Sequence, residues 1–268
     1  MNLLRLARLA AIALVMGVLG GCATAPPGAA PGAPNDPFEN WNRKVFAFND
    51  KVDTAVLKPV AETYRDTVPK LVRTGVDNVL GNIYDVWSTA NHFLQGKFQT
   101  GLEMGMRVLT NTVFGLGGLL DPATEVGLIR RSEDFGQTLG KWGVGTGPYL
   151  VLPFLGPSTV RDGAALIVDR QAAPGSLPDT STGRYAVTAL ELVNTRANLL
   201  QAGALVDQVA LDKYAFIRDA YLARRRDALY DGAPPMETFD DEPADSAPAP
   251  GAAASAPKPA ASAASAAK

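Results

Sequence analysis

Two side chains dominate a search for chemistry in these 268 residues, because the chain holds one histidine, His92, and one cysteine, Cys22. A pair of such ligands cannot build a zinc site of three or four Cys/His donors, and a lone cysteine closes no internal disulfide. No Gly-x-Ser-x-Gly elbow is present, so a serine nucleophile would depend on His92 as its base. His92 stands in Asn91-His92-Phe93-Leu94-Gln95-Gly96 near a helix end, where a structural or capping role is favoured over catalysis. With 25 Lys+Arg against 27 Asp+Glu the formal net charge is −2, which supplies no basic footprint for nucleic acid. The composition points to binding or structure, with no metal and no catalytic residue.

Cys22 carries the clearer signal. Arg5 and Arg8 precede an uncharged run from Leu9 to Gly21. At 1.5 Å per helical residue that run reaches about 20 Å, short of a ~30 Å hydrocarbon core, so residues 1–21 read as a secretory leader. The run ends in Leu19-Gly20-Gly21-Cys22, which looks like a lipobox. In such a site the thiol receives a diacylglyceryl group, the leader is removed, and the new N-terminus is acylated. These covalent groups on Cys22 are the only non-protein components expected. Two or three acyl chains anchor a protein without any membrane-spanning helix. Ala23 in place of an aspartate favours the outer membrane by the bacterial sorting rule, with the domain facing the periplasm.

The remaining chemical candidates are weak. Gly143-x-Gly145-x-Gly147 resembles half of a dinucleotide loop, yet Pro148 follows and no strand–turn–helix context surrounds it. The neighbouring carboxylates Asp50/Asp53 and Glu133/Asp134 read as solvated helix faces or caps, and Arg224-Arg225-Arg226 as a solvated face near a helix end.

The elements that position these residues are helices. Residues 22–35 form a lipidated, Ala/Thr/Pro/Gly-rich tether, and 233–268 an acidic then Ala/Pro/Ser-rich disordered tail. Between them 36–232 is one domain. Asp36-Pro37 predicts an N-cap and first turn, followed by a helix whose apolar residues Phe38, Trp41, Val45, Phe48 and Val52 share a face, ending before Pro59. A short helix over 60–67, a long one from Leu71 to a C′ glycine at Gly96, and one over 98–113 follow. Asp121-Pro122 repeats the cap signal, and further helices are predicted at 134–141, 158–169, 182–204 and 207–230. No sustained alternation of period two appears. The predicted class is all-α.

Two uncharged, glycine-rich segments depart from an ordinary soluble bundle: Val108–Leu120 and Trp142–Val160. The second has the length of a membrane span, but seven glycines and prolines would leave its backbone unpaired in lipid. It suits a buried hairpin or irregular backbone lining a cavity. Both segments serve either as core or as shielded parts of a helical domain lying in the bilayer interface.

The ordered region resembles one known family. The residues are Asp36-Pro37-Phe38-Glu39-Asn40-Trp41-Asn42-Arg43 with Phe46-Ala47-Phe48-Asn49, Asn91-His92-Phe93-Leu94-Gln95-Gly96, and Arg107 through Asn111-Thr112-Val113-Phe114-Gly115-Leu116-Gly117-Gly118 to Asp121-Pro122-Ala123. They continue with Asp134-Phe135-Gly136-Gln137-Thr138-Leu139-Gly140, Gly147-Pro148-Tyr149, Leu152-Pro153-Phe154 and Arg161-Asp162. Over about 36–230 this pattern is similar to the VacJ/MlaA family of outer-membrane phospholipid-transport lipoproteins.

The resemblance implies a ring-like helical protein lying in the outer membrane beside trimeric porins. It would take mislocalised phospholipids from the outer leaflet and hand them to a soluble periplasmic carrier, which delivers them to an inner-membrane ATP-driven complex. Such a protein needs a polar-lined path beside an apolar rim, since a headgroup crosses hydrocarbon only at high cost. On this reading Phe114, Gly115, Gly117, Gly118, Trp142, Gly143, Gly145 and Gly147 are the candidate passage or gate, and Phe46, Phe48 and Asn49 position a helix at its rim. The alternative is a structural envelope lipoprotein, a porin partner that moves no lipid.

Overall fold

A computed structural model describes residues 36–235. The leader, Cys22, the tether and nearly all of the predicted tail lie outside the described residues.

The helical class holds. Helix α1 (Glu39–Val52) does not stop before Pro59: it passes through a π-helical turn, Asp53–Leu57, into α2 (Lys58–Thr67). The wider turn absorbs the proline, because the Lys58 N–H reaches back to Asp53 O and the ring meets no tight α-helical carbonyl. Val68, extended before Pro69, ends α2. Then α3 (Lys70–Leu94) turns at Gly96 (φ 76°) into α4 (Phe98–Val113), and the two pack as the principal hairpin of the domain. Short helices α5 (Pro122–Glu125) and α6 (Phe135–Lys141) are capped by the side chains of Asp121 and Asp134, which accept from Thr124 N–H and Gln137 N–H.

A two-stranded antiparallel hairpin, β1 (Tyr149–Leu152) with β2 (Gly156–Thr159), replaces the predicted start of a helix at 158. Thr159 caps α7 (Val160–Ala172), and a 3-10 turn at Pro174–Ser176 leads to α8 (Ser181–Asn198). The helix predicted over 182–204 breaks at Leu199 into α8 and α9 (Leu200–Val209). That break lets Ala197 and Leu200 both bury against Ala61 of α2. Helix α10 (Lys213–Leu229) closes the domain. Asp36 does not cap α1: Phe38 occupies that position, and the Asp36 carboxylate instead receives Asn42 Nδ2 (2.8 Å) and the Tyr214 hydroxyl.

The distribution of polarity is inverted. Among the described residues ten hydrophobic side chains are buried against seventeen polar or charged ones. On α3 the buried positions include Asn82, Asp85, Ser88, Asn91 and His92, while Leu71, Val72, Val86 and Leu94 are exposed. On α4 Arg107 and Asn111 are buried, and Phe98, Leu102, Met106, Leu109 and Val113 face outward. Water drives the opposite arrangement, so an apolar exterior of this extent marks contact with lipid or with another apolar surface. No helix among the described residues is long and apolar enough to cross a membrane.

Candidate functional site

The buried polar stripe of α3 and α4 has a defined task. Residues 128–134 run as an irregular strap without helix or strand, and polar side chains of the hairpin satisfy their backbone. Ser88 Oγ donates to Arg131 O (2.9 Å) and accepts from Glu133 N–H (2.8 Å), while His92 Nε2 contacts the same carbonyl at 3.1 Å. Arg107 Nη1 donates to Leu128 O (2.6 Å). Irregular backbone shielded from water is tolerated only when paired in this way.

Arg107 is the centre of this interior and is 1% exposed. Its Nε meets Asp85 (3.2 Å), Nη1 also reaches Thr124 Oγ1 (2.9 Å), and Nη2 meets Asp121. Arg130 adds a second contact to Asp85 at 3.0 Å. Two guanidinium groups thus face two carboxylates, and the buried charges balance. Burial pushes the Asp85 carboxyl up, against the pull of Arg130 and Arg107. Asp121 also loses hydration, but hydrogen bonds from Thr124, Arg107 and Asn111 hold it down at about 2.

A second polar cluster joins α6, α7 and α10. Arg225 grips Asp134 with both terminal nitrogens and Asp162 through Nε (2.9 Å), and Tyr221 donates to Asp162 (3.0 Å). Desolvation raises Asp134, yet the Arg225 fork overrides it and holds the carboxyl below the ordinary range. Close approach needs glycine: a Cβ on Gly136 would stand 2.6 Å from Asp162 Oδ1, and one on Gly140 2.6 Å from Arg161 Nη1. Two predictions are therefore corrected. Arg225 is an internal ion-pair node and not part of a solvated face. Glu133 is buried, holding Lys97 (2.7 Å) and Gln95 (2.9 Å).

The rim segment docks the hairpin onto α1. Asn49 Nδ2 donates to Leu152 O (2.9 Å) and its Oδ1 accepts from Phe154 N–H (2.8 Å). Asn42 does the same three strand residues earlier, donating to Tyr149 O and accepting from Val151 N–H. Seven helical residues rise about 10 Å, the length of three strand residues, so two asparagines seven apart clasp one strand edge. Phe48 packs edge-on against Phe154 (5.2 Å) and Phe46 against Tyr214 (5.7 Å). Asn42 belongs to the quoted motif, but its role went unassigned; the heptad spacing of the two asparagines was the available signal. Truncation of the fully buried Asn42 to Ala should cost about 2–3 kcal/mol by orphaning a backbone donor and acceptor, and Asn49→Ala, at a half-exposed site, about 1 kcal/mol. Thermal unfolding of the detergent-solubilised variants checks the order.

The two glycine-rich segments lie apart. Leu119 O accepts from Asn78 Nδ2 (3.0 Å) and Gly118 abuts Asn82, whereas Trp142 Nε1 donates to Leu94 O (3.0 Å) at the far end of α3. Sixteen helical residues separate these contacts, about 24 Å. Leu116, Gly117 and Gly118 all have positive φ, and the turn is cross-bonded from Gly118 N–H to Asn111 O. Phe114 projects outward from it, 73% exposed. Trp142 is pinned edge-on to Phe135, Gly143 (φ 92°) closes α6 with its N–H on Gly140 O, Gly145 faces open space, and Gly147 (φ 69°) sits beside Val160. The glycines accordingly differ in their expected response to alanine. At Gly115 a Cβ would sit 2.4 Å from Asn111 O and 2.5 Å from Leu120 O, so Gly115→Ala should lower the protein's abundance severalfold. Gly145 faces open space without a positive φ, and Gly145→Ala should leave abundance and melting unchanged. Immunoblots of membrane fractions separate the two outcomes.

At the Trp142 end of α3 lies a polar cavity of about 890 Å³, lined by His92, Lys97, Arg131, Glu133, Gln137 and Asp227 among others. An apolar groove of about 330 Å³ runs along the outer face of α3 and α4 past Val86, Phe93, Gly101, Leu102, Gly105 and Leu109. Among the described residues no cluster of His, Cys, Asp and Glu could hold a metal ion.

Comparison with known proteins places this architecture. A model of the MlaA lipoprotein family matches residues 34–228. The intermembrane phospholipid transport system lipoprotein MlaA of Escherichia coli K12 is 37% identical over 225 residues, covering 81% of this chain and 86% of its own length. Its counterpart in Haemophilus influenzae is 32% identical over 203 residues, covering 74% and 80%. A solved structure described as the structural basis for maintenance of bacterial outer membrane lipid asymmetry superposes with a TM-score of 0.64 at 36% identity, covering 72% of this chain and 98% of that one.

Proposed function

Because the chain belongs to the MlaA lipoprotein family, we propose that it withdraws mislocalised phospholipids from the outer leaflet of the outer membrane and passes them to a soluble periplasmic carrier. It is a lipoprotein of intermembrane phospholipid transport and serves outer-membrane lipid asymmetry. The diacylglyceryl group on Cys22 anchors it there, with the domain lying in lipid beside a trimeric porin. The observation that carries this reading is the inverted polarity of the α3–α4 hairpin, with Asp85, Ser88, His92 and Arg107 inside and Leu102, Met106 and Leu109 outside.

Moving an intact lipid asks for no nucleophile and no general base. It asks for a surface that seats acyl chains and a polar region that receives a headgroup, so that the headgroup avoids bare hydrocarbon. The outer apolar faces fit the first need and the polar cavity beside Gln95–Lys97 fits the second. The energy for directed transport comes from another component, since the chain holds no nucleotide-binding motif. Gly143, Gly145 and Gly147 act as the gate of the lipid passage, and Phe46, Phe48 and Asn49 hold the β hairpin against α1 at its rim. Phe114, Gly115, Gly117 and Gly118 close the opposite end of the helical hairpin.

Mass spectrometry of material purified in mild detergent tests the reading. Intact co-purifying phospholipid is expected. Released fatty acid would turn the account toward a hydrolase, and absence of lipid toward the scaffold that only accompanies a porin.

A further inference from the structure

Helix α1 carries an exposed face that its clasp on the β hairpin does not use. Trp41 and Phe48 each stand one residue before a clasping asparagine, Asn42 or Asn49, and so lie about 100° round the helix from the hairpin edge. At that angle per residue Trp41, Lys44, Phe48 and Lys51 fall within about 80° of one another, and the acidic residues of α1, Glu39 and Asp50, fall outside that sector. Trp41 is 58% exposed, and Lys44, Phe48 and Lys51 are exposed with it. Aromatic residues and lysines therefore alternate along one outward stripe.

The lysines of this stripe are uncompensated. Arg43 pairs with Glu39 and Asp212, and Asp50 is taken by Lys213. Lys44 and Lys51 make no ion pair among the described residues, and the carboxylates of their own helix are already occupied.

The tip of the hairpin extends the stripe. Phe154 has φ 62°, a left-handed conformation that is costly for an aromatic residue, yet its side chain is 69% exposed and adds little to the core. Asn49 holds its N–H and Phe48 meets its ring edge-on at 5.2 Å. These contacts set the tip, Phe154 with the exposed Leu155 after it, beside the aromatic residues of α1.

A protein or a bilayer could cover exposed aromatic side chains, and the lysines decide between them. Protein interfaces are depleted in lysine, whose ammonium is strongly hydrated and whose stem is flexible. At a membrane surface the same side chain lays its stem on hydrocarbon and keeps its ammonium among phosphates, with aromatic rings at headgroup depth. The formal net charge of −2 gives the chain no overall attraction for an anionic surface, so a preference for one must come from a local patch.

We propose that Trp41, Lys44, Phe48 and Lys51 of α1, with Phe154 and Leu155 of the hairpin tip, form a docking face for an anionic phospholipid surface. The apolar side chains enter the headgroup region and the two lysines meet lipid phosphates. This rests on the reading of the domain as lying in lipid, and adds which face meets the headgroups and which lipid charge it prefers. Helix α4 supplies the hydrocarbon contact, and α1 the electrostatic one.

The test is flotation of the leaderless chain with Cys22→Ala, using vesicles of phosphatidylcholine alone and of equal parts phosphatidylcholine and phosphatidylglycerol. The unaltered domain should partition about thirtyfold more strongly onto the anionic vesicles, from roughly fivefold for each lysine near such a surface. Lys44→Gln/Lys51→Gln should bring the two vesicle types level, and Lys44→Arg/Lys51→Arg should keep the preference. Trp41→Ser/Phe154→Ser should weaken binding to both. All four positions are exposed, so the helical circular dichroism should be unchanged. Equal flotation of the unaltered domain with both vesicles would overturn the anionic docking face and leave the lipid reading standing. Flotation with neither would overturn the lipid reading itself. An anionic preference that survives Lys44→Gln/Lys51→Gln would overturn the proposal, and loss of a co-purifying membrane protein in that variant would then assign the face to a protein.

Discussion

Arg107→Met is expected to remove most of the protein from the cell. The guanidinium is enclosed, and three of its nitrogens serve different partners: Asp85 from Nε, Thr124 and the Leu128 carbonyl from Nη1, and Asp121 from Nη2. Its loss strands Asp85 in the interior with only the partly exposed Arg130, and frees the strap carbonyl at Leu128. Breaking one side of a buried ion pair costs about 3–5 kcal/mol, a large share of the 5–15 kcal/mol that typically separates folded from unfolded states. Arg107→Lys should recover little, since a single ammonium cannot reach three directions at once. The double variant Asp85→Asn with Arg107→Met should regain part of the loss, because it removes the stranded charge. Thermal unfolding in detergent and steady-state abundance read the series. A melting temperature for Arg107→Met within 2–3 °C of the unaltered protein would show that the network stabilises little, since 1 kcal/mol moves a domain of this size by about 2–4 °C.

The second large effect concerns the outer surface. Leu102 and Leu109 are 63% and 59% exposed on one face of α4. In water, replacing both with aspartate would be nearly neutral for stability and would improve solubility. In lipid each charge costs about 2.5–3.5 kcal/mol at depth, so the pair should release the domain from the membrane. The measurement is flotation with liposomes of a leaderless Cys22→Ala form, which has no acyl anchor. The unsubstituted domain should float, and the Leu102→Asp/Leu109→Asp form should stay at the bottom of the gradient while keeping its helical circular dichroism. Flotation of both would place α4 away from lipid.

The helices were legible in the sequence, but which of their faces turns inward was not. In α3 the apolar residues Val72, Val86 and Phe93 recur at helical spacing, and so do Asn82, Asp85, Ser88 and Asn91. Periodicity reveals two stripes and reports nothing on the solvent each one meets. The usual inference that apolar means inward is inverted here, with Val72 and Val86 more than half exposed and Asn91 fully buried. The β hairpin was hidden for a related reason. Tyr149, Leu150, Val151 and Leu152 alternate in burial but are all apolar, so no period-two signal appears. Its other trace, the density of Gly and Pro over 142–160, was legible and left a hairpin open as one reading. Pro59 was misread because a π turn that accommodates proline has no signature in local composition. Caps were legible in part: Asp121-Pro122 caps its helix as its spacing predicts, and Asp134 takes the cap option left open for it. The same Asp-Pro signal at Asp36-Pro37 fails because the Asp36 carboxylate is taken by Asn42 and Tyr214. Glu133, Arg225 and His92 could not be placed, since each takes its role from a partner more than 35 residues away.

The central claim is that this chain clears phospholipid from the outer leaflet. Its most direct test is the amount of phospholipid accessible at the cell surface, read by a membrane-impermeant amine-reactive label or by a surface-acting phospholipase, in cells with and without the chain. The account predicts that removal raises surface phospholipid and that restoring the intact chain returns it to baseline, while restoring Arg107→Met does not. Surface phospholipid that stays the same after removal would contradict it.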